Sequence, residues 1–493
     1  MPVRSDWLVR LLGLLAVMVG AAALFAFDFV KQQLLFLSAD GVVEPHSFLQ
    51  LQILLVSAGI VGVYLFFHHR LTPHLQGSAS RLSTVGTSQF LIWTLGLAAL
   101  FRTLVVMFLP VVLWADSLGY HDYAVTWARV GSYMENGLPT AVWPPAWPWL
   151  LSRLYLLFGE LTILGAIVNA LLGLGTCLLS YLTVRRLFNE RAARVTLVLM
   201  AIFPSQVLFL DLLVSEYLFT FLLWLGMYVL IRVDNSRLNR FWFLVGGGIV
   251  LGLAMLTRSL IQLLPLVFVP YWWMRNESLR SIAGRVALVV VGMALVVTPW
   301  IIRNYHHVGV AAVSSNGGIN FYIGNNPRSG IGWLEVDTTV FLLGNPAKEA
   351  GNNELGYRLG WQYIAGHPAA FVKRGILKVA YTFASDIDAI VSHLIVAAKA
   401  QRTDFYVVAA VVMQSVYLIA LLWAALGIWH YYRQGSYRLH PGGVLLVLVV
   451  LYWMAVHFVF FGCGRFHFPL IPIIAAFASL YLATDRSGSR EVN

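Results

Sequence analysis

Two acidic side chains stand where the chain leaves long apolar stretches. Asp116 directly follows the apolar run 88–114, and Glu216 opens the run 216–232. A carboxylate at such a boundary is partly desolvated, which raises the pKa of its carboxyl group toward that of a general base. If the fold brings both acids together, the pair suits either deprotonation of a hydroxyl group or the binding of a divalent cation. The competing interpretation is two solvated acids at helix ends.

Four basic side chains have similar positions. Arg258 separates two apolar runs, Arg303 follows the run 286–302, and Arg465 and His467 lie at the start of the last run. A guanidinium group near a bilayer is costly and usually functional, and its fork geometry suits a phosphate group. These arginines therefore indicate an anionic head group as ligand, although an arginine that only ends a helix is the alternative for Arg258. A single histidine such as His467 is more often structural than catalytic.

The elements that position these residues must be membrane-spanning helices. The 493-residue chain is 59% hydrophobic and 11% charged, with a mean hydropathy of +0.76, whereas soluble domains carry about 25% charged residues. Spans in lipid must be helical, because their backbone polar groups find no other partner. We therefore expect an all-α polytopic membrane protein with about twelve spans of roughly 20 residues. The spans lie near 8–27, 48–68, 88–114, 161–184, 194–213, 216–232, 241–257, 259–274, 286–302, 405–429, 443–461 and 466–484.

The basic residues set the orientation of these spans. Arginines concentrate in one set of short loops, and the densest group is Arg185, Arg186, Arg191 and Arg194. Because cytoplasmic loops carry an excess of basic residues, we predict that this set is cytoplasmic. The net charge of +11 is explained in this way, so we do not expect nucleic acid as a partner. The opposite side holds the long loops 115–160 and 303–404, together with every candidate residue named above. Segments 120–136 and 355–380 of these loops have roughly helical apolar spacing, which predicts helices in the interface plane.

Six motifs in this order resemble the GT-C superfamily of lipid-linked glycosyltransferases, in particular the branch of protein O-mannosyltransferases, aminoarabinose transferases and galacturonosyltransferases. They are ADSLGYHDYA (115–124), WPPAWPWLLSRLYLLFG (143–159), SEYLF (215–219), GLAMLTRS (252–259), TPWIIRNY with NGGINFYIGNNP (298–327) and GRFHFPLIP (464–472). The chain departs from the usual pattern at Ala146, where glycine is usual, and at Ser259, where proline is usual. Ser117 follows Asp116 where the mannosyltransferase branch has an Asp-Glu pair, which argues against protein mannosylation.

The resemblance implies a GT-C-type bundle with interfacial helices in its outer loops. It also implies an inverting hexosyl- or pentosyltransferase that takes a sugar from a polyprenyl phosphate. The acceptor would be a glycolipid such as lipopolysaccharide, another cell-envelope glycan or a protein. Asp116 would be the general base, and Glu216 would orient it or share a divalent cation with it. The donor phosphate would be held by Arg258, Arg303 and Arg465. The substrate cavity would be lined by Tyr120, His121, Asp122, Pro145, Asn304, Asn325 and His467.

The chain divides into four regions in this interpretation. They are an N-terminal two-span extension (1–87), a transmembrane core with the first outer loop (88–302), a large extracytoplasmic loop (303–404), and C-terminal helices with a cytoplasmic tail (405–493). We expect a bacterial inner membrane protein whose active site faces the periplasm.

Two other classes of protein remain open at this point. A lipid or solute transporter or flippase needs charged residues at mid-bilayer and broken helices in paired halves. The spans are instead apolar through their middles, with Gln206, Gln262 and Gln414 among the few exceptions. A non-catalytic membrane scaffold is the third possibility. The concentration of charge on one face favours the enzyme.

Overall fold

The computed structural model describes residues 3–25, 45–233, 237–328, 331–333, 341–342, 344–397, 403–434 and 440–484. Nearly all of this part is helical, as expected. The α-helices are α1 (Val3–Phe25), α2 (Pro45–Leu82), α3 (Thr87–Phe108), α4 (Asp116–Val130), α5 (Ala146–Phe158), α6 (Ile163–Leu187), α7 (Glu190–Ile202), α8 (Pro204–Leu208), α9 (Glu216–Ile231), α10 (Arg237–Thr257), α11 (Phe268–Trp273), α12 (Leu279–Val308), α13 (Gly317–Gly324), α14 (Glu349–Gly366), α15 (Pro368–Ala384), α16 (Asp388–Ala397), α17 (Thr403–Gln434), α18 (Pro441–Val459) and α19 (Ile471–Leu482). Strands β1 (Met134–Glu135) and β2 (Leu138–Pro139) pair antiparallel, and 3-10 turns occupy Ser259–Ile261, Leu264–Val267, Pro346–Lys348 and Gly464–Leu470.

Eight helices of the described part are long and apolar enough to cross a membrane. They are residues 53–82 of α2, α3, α6, residues 240–257 of α10, α12, residues 405–433 of α17, α18, and the stretch 464–482 that ends in α19. The polytopic all-α class is therefore confirmed, but the count of twelve spans is not. Helix α9 has 16 residues, and the expected spans 194–213 and 259–274 are broken.

The run 194–213 is broken at a proline, and a buried arginine supplies a hydrogen-bond donor at the break. Helix α7 ends at Ile202, because Pro204 has no N–H group and disfavours helical geometry in the residue before it. Arg102 of α3 is 1% exposed, and its guanidinium group donates to the carbonyl oxygen of Ala201 at 3.3 Å. It thereby satisfies a helix-end carbonyl and complements the negative end of the helix dipole. The chain can therefore leave the helix inside the bundle.

The run 259–274 is broken for a similar reason. Pro265 and Pro270 cannot donate backbone hydrogen bonds, and the run forms two 3-10 turns followed by the short helix α11. Tyr452 of α18 donates its hydroxyl hydrogen to the carbonyl oxygen of Leu260 at 2.5 Å. A side-chain partner of this kind is what a broken helix needs within a membrane. Arg258 lies at the start of the break with extended backbone angles (φ −147°, ψ 119°).

Helix α19 lies at the centre of the bundle. Residues 471–480 are all buried, and the helix packs against α17 and α7. The first two helices pack on this bundle from outside. Helices α1 and α2 approach each other at Gly20 and Gly59, where a Cβ atom on Gly20 would lie 2.7 Å from the Cα atom of Gly59. Helix α2 is then joined to α17, since Trp423 donates to the Tyr64 hydroxyl at 2.8 Å.

The described parts of the two long loops form one cap over one end of the bundle. The segments expected to be interfacial are helical, in α4, α14 and α15. Glu349 at the start of α14 is buried and accepts hydrogen bonds from Thr140 (2.6 Å), Ser315 (2.6 Å) and the Ala141 backbone (2.9 Å). Because Thr140 and Ala141 belong to the first loop, this one carboxylate ties the two loops together.

Candidate active site

Asp116 is the first residue of α4, and its position depends on the residue that follows it. Ser117 donates its hydroxyl hydrogen to the carbonyl oxygen of Val112 at 2.7 Å and accepts the N–H of Leu213 at 2.9 Å. Ser117, a departure from the mannosyltransferase pattern, thus joins the segment of Asp116 to the segment that precedes Glu216. Ala115 has φ 47°, a left-handed value that costs a non-glycine residue about 1–3 kcal/mol. The backbone before Asp116 is therefore strained.

The irregular segment before Glu216 is held by side chains from two helices. Trp147, in the proline-rich motif, donates its indole N–H to the carbonyl oxygen of Leu213 at 3.0 Å. Asn169 of α6 donates to the carbonyl oxygens of Leu210 and Leu212, both at 3.0 Å. These bonds give a buried non-helical segment the partners that it needs. The proline-rich motif therefore helps to place the second acid.

Glu216 begins α9 and is 1% exposed. Its Oε1 atom lies 3.0 Å from the guanidinium group of Arg258 and 3.7 Å from Nε of Arg465. Its Oε2 atom is buried and has no hydrogen-bond partner among the described residues. A buried carboxylate oxygen without a donor is costly, which makes this atom a natural acceptor for a substrate hydroxyl group.

Arg465 joins the two acids. Its guanidinium group forms a close ion pair with the carboxylate of Asp116 and also approaches Glu216. Arg258 and Arg465 both lie over the ring of Phe466, with their Cζ atoms 5.4 Å and 5.8 Å from its centroid. The structure therefore assembles two acids and two arginines around one aromatic ring. We call Asp116, Glu216, Arg258 and Arg465 the acid–arginine cluster.

The electrostatics of Asp116 differ from the sequence-based expectation. Desolvation raises the pKa of its carboxyl group, but the charge and hydrogen bond of Arg465 and the charge of Arg258 outweigh it, so the pKa is lowered. The prediction that the pKa of Asp116 is raised is therefore wrong. The position of Asp116 in the sequence did not indicate that Arg465 lies next to it. Asp116 is therefore ionised but held by its ion pair.

Among the expected cavity residues of the first loop, Tyr120 lies beside the cluster. Its hydroxyl donates to Ser215 at 3.3 Å, and burial raises its pKa to about 12. His121 forms a hydrogen bond with the Tyr155 hydroxyl at 2.9 Å, Asp122 is exposed, and Pro145 is buried just before α5.

The other expected site residues form hydrogen bonds within the long loops or between those loops and helix ends. Arg303 donates to the carbonyl oxygens of Tyr133 (2.7 Å) and Thr140 (2.6 Å). Asn304 donates to Ala312 and Val313, Asn325 donates to Phe321 and Val459, and His467 contacts the Thr382 carbonyl oxygen and Asp386. The structure therefore ties these residues to the loop scaffold rather than to Asp116 or Glu216.

The donor set of the cluster is a poor fit for a divalent cation. The described residues contain no group of three or more His, Cys, Asp or Glu side chains arranged to hold a metal ion. A cation between Asp116 and Glu216 would have to share both carboxylates with Arg465, which already contacts each of them. Like charges at such a distance repel. The arrangement suits an anion bound by the arginines better.

Sequence reasoning missed a group of polar residues at the end of the large loop. His393 Nε2 lies 2.6 Å from Asp211, and both side chains are buried. Burial lowers the pKa of His393, but the hydrogen bond and charge of Asp211 outweigh it, so the pKa is raised. His467 forms a second buried pair with Asp386 at 3.1 Å, and Asp388 accepts the backbone N–H of Arg465 at 2.6 Å. The available signal was the occurrence of these acids in an otherwise apolar stretch.

The middle of the chain matches a known protein family. Residues 142–302 match the family model described as dolichyl-phosphate-mannose-protein mannosyltransferase. The matched segment contains Glu216 and Arg258, whereas Asp116 and Arg465 lie outside it. No curated protein matches the chain in sequence.

Two solved structures that are similar to the chain come from an archaeon and from Cupriavidus metallidurans. One is the archaeal oligosaccharyltransferase AglB from Archaeoglobus fulgidus, in complex with an inhibitory peptide and a dolichol-phosphate. It is 15% identical, with 80% of this chain and 50% of that chain covered and a TM-score of 0.46. This chain thus spans half the length of AglB. The other is ArnT from Cupriavidus metallidurans bound to undecaprenyl phosphate, which is 18% identical, with 80% of this chain and 78% of that chain covered and a TM-score of 0.41.

Proposed function

We propose that this chain is a member of the GT-C superfamily of glycosyltransferases, supported by the family match over residues 142–302, and that it transfers a hexosyl or pentosyl group from a polyprenyl phosphate to a glycolipid, glycan or protein of the cell envelope. The reaction inverts the anomeric carbon and takes place on the periplasmic face of a bacterial inner membrane. The described residues of 88–302 and 405–484 form the catalytic bundle, and those of 303–404 cover it. Helices α1 and α2 belong to the N-terminal extension 1–87, and the chain after residue 484 is the cytoplasmic tail.

The acid–arginine cluster is the observation that carries this proposal. Its two carboxylates and two guanidinium groups balance in formal charge, and Oε2 of Glu216 has no hydrogen-bond partner among the described residues. Arg258 and Arg465 have exposed side-chain fractions of 15% and 25%, which leaves both able to meet a bound molecule. Guanidinium groups in a water-poor site are strong phosphate ligands. A donor phosphate entering sideways from the outer leaflet would meet both of them.

Binding of the donor changes the state of the base. The phosphate oxygens compete with Asp116 for the guanidinium group of Arg465. When Arg465 turns to the phosphate, Asp116 loses the ion pair that lowers its pKa while it stays desolvated. Its carboxylate then becomes more basic. The donor therefore converts a paired carboxylate into a base for the acceptor hydroxyl.

The chemical step is a single displacement. Asp116 takes the proton of the acceptor hydroxyl, and the oxygen forms a bond to the anomeric carbon as the bond from that carbon to the phosphate oxygen breaks. The leaving polyprenyl phosphate gains one negative charge, which Arg258 and Arg465 stabilise at the moment it develops. The unpartnered Oε2 atom of Glu216 is available to orient the hydroxyl. One attack from the face opposite the phosphate gives inversion.

The test is transfer by purified protein in nanodiscs, using a radiolabelled polyprenyl-phosphate sugar and envelope extracts as acceptor. Asp116→Asn removes the base while keeping the shape, and we expect transfer to fall by about 100-fold to 10,000-fold. Glu160→Gln is the matched control, because Glu160 is an exposed acid of the same outer loop that pairs with Arg129. It should behave as wild type. Full activity in Asp116→Asn would refute the assignment.

The same assay separates the enzyme from a transporter. A new glycosidic bond formed without any gradient supports the glycosyltransferase. Movement of the labelled donor between leaflets, without a new bond, would instead support a flippase.

A further inference from the structure

The turn that carries Arg465 is held through its backbone by a residue of the large outer loop. Asp388 at the start of α16 accepts the N–H of Arg465 at 2.6 Å and the thiol of Cys463 at 3.4 Å. The approach is close, since a Cβ atom on Gly464 would lie 3.1 Å from both carboxylate oxygens of Asp388 and 2.7 Å from the Ser385 carbonyl oxygen. Glycine is therefore required for this contact.

Helix α16 is anchored at its other end to the segment that leads to Glu216. His393 pairs with Asp211 at 2.6 Å, and Asp211 lies five residues before Glu216. Asp386, just before α16, pairs with His467 on the same turn as Arg465. The stretch 386–393 thus connects the segment that leads to Glu216 with the turn that carries Arg465. Glu216 and Arg465 have opposite charges and belong to the same acid–arginine cluster.

We propose that Asp388 is a positioning residue, which sets the place of the Arg465 guanidinium group between Asp116 and Glu216 through the Arg465 backbone. This inference rests on the proposed function. Arg465 makes a close ion pair with Asp116 but lies 3.7 Å from Glu216, so a shift of its backbone exchanges one contact for the other. Misplacement of a reacting group by about 1 Å costs up to roughly 100-fold in rate.

A direct role of the Asp388 charge is the competing explanation. Asp388 is half-buried, and a third carboxylate beside the cluster could act as a base or bind a cation. The two roles differ in what they need from the side chain. Positioning needs an acceptor for the Arg465 N–H group, which asparagine also supplies. A role in proton transfer or cation binding needs the negative charge, which asparagine lacks.

The test compares Asp388→Ala with Asp388→Asn and with the control Cys463→Ala, which removes the thiol contact and leaves the Arg465 contact. We expect a fall in kcat of about 10-fold to 100-fold in Asp388→Ala, and kcat within about threefold of wild type in Asp388→Asn and Cys463→Ala. In Asp388→Ala the acid limb of the pH profile of kcat/KM, which reports the free enzyme, should move to higher pH. Asp116 faces Arg465, Arg258, Glu216 and Tyr120, and displacement of Arg465 weakens the contact that lowers its pKa.

Three outcomes would overturn the inference. Equal losses of kcat in Asp388→Ala and Asp388→Asn would show that the negative charge is needed. Wild-type kcat in both variants would show that Asp388 has no role. An unmoved acid limb in Asp388→Ala would show that Asp388 does not act through Arg465. If Asp388→Ala does not fold, Gly464→Ala offers a second route, because its methyl group would crowd the Ser385 carbonyl oxygen at 2.7 Å and both carboxylate oxygens of Asp388 at 3.1 Å, which disturbs the same contact.

A measurement without substrate separates this inference from the proposed function. Hydrogen exchange at the Arg465 amide should speed up in Asp388→Ala and much less in Asp388→Asn, whether or not any sugar is transferred. Unchanged exchange would refute the positioning role. Inactivity of the wild-type protein with normal exchange behaviour would refute only the proposed function.

Discussion

Replacing Arg465 by glutamine removes the cation that bridges Asp116 and Glu216, and we expect the acid limb of the pH–rate profile to move to higher pH. The proposed base works when ionised, so wild-type activity is lost as the pH falls through a pKa that lies below the usual value of 3.8. Without Arg465, desolvation of Asp116 is opposed by Arg258 but no longer by its main partner. The pKa therefore rises, and activity is lost at a higher pH.

The size of this effect follows from the ion pair that is lost. A hydrogen bond to a charged group contributes about 1.5–3 kcal/mol. The side chains of Asp116 and Arg465 are 38% and 25% exposed, and solvent screening of such a pair favours the lower figure. Since about 1.4 kcal/mol corresponds to a factor of ten, the ionised fraction of Asp116 on the acid limb should fall roughly tenfold. The depressed pKa of Asp116 also stabilises the folded protein at pH values above the unfolded pKa, and this contribution is lost as the pH falls. In Arg465→Gln this contribution to the free energy of unfolding should become smaller in parallel.

The assay is kcat/KM for transfer, measured at subsaturating donor between about pH 3 and pH 9, because kcat/KM reports the free enzyme, in which Arg465 still pairs with Asp116. Weaker phosphate binding lowers kcat/KM by the same factor at every pH, whereas an effect on the base moves the acid limb. Arg465→Lys keeps one positive charge and should show a smaller displacement of the limb than Arg465→Gln. A rate reduced by the same factor at every pH would refute the reasoning, because Arg465 would then act on the phosphate without tuning Asp116.

Three further predictions concern the arginines and the buried Asp–His pair. Arg258→Gln should raise the Kd for polyprenyl phosphate at least about tenfold, measured by calorimetry. Arg303→Gln should leave that Kd within about threefold and lower Tm instead, and equal weakening in both variants would contradict this division. Arg102→Leu leaves helix-end carbonyl oxygens without a donor, so it should lower the free energy of unfolding by about 1–3 kcal/mol. An unchanged Tm in this variant would contradict the prediction. The raised pKa of His393 stabilises the fold below its unfolded value, so Tm should fall as pH rises through the raised pKa. His393→Gln should flatten that dependence, and an equally steep curve would count against the Asp211 pairing.

The helical class followed from the apolar runs, because lipid leaves a spanning backbone no partner except itself. The exact bounds of the membrane spans could not be predicted from these runs. The runs at 194–213 and 259–274 look continuous in sequence, yet proline breaks both, and Arg102 and Tyr452 from distant helices supply the missing partners. Hydropathy measures the cost of a side chain in lipid. It carries no information on a donor 99 or 192 residues away in sequence.

The positions of Asp116, Glu216, Arg258 and Arg465 at the boundaries of apolar runs were readable from sequence, since each interrupts or borders such a run. The chain alone also indicated an anionic ligand, because arginine is expensive beside a bilayer. These features depend on residue type and on distance along the chain.

Only the tertiary structure decided which of these charges touch. It brings Arg465 to Asp116 across 349 residues of sequence, which reverses the expected direction of the Asp116 pKa shift. It ties Arg303 to backbone carbonyl oxygens instead, and it places Asp388 under the Arg465 turn. The physical reason is that a pKa and a hydrogen bond depend on separations of a few ångströms, and folding sets those separations between segments that are remote along the chain.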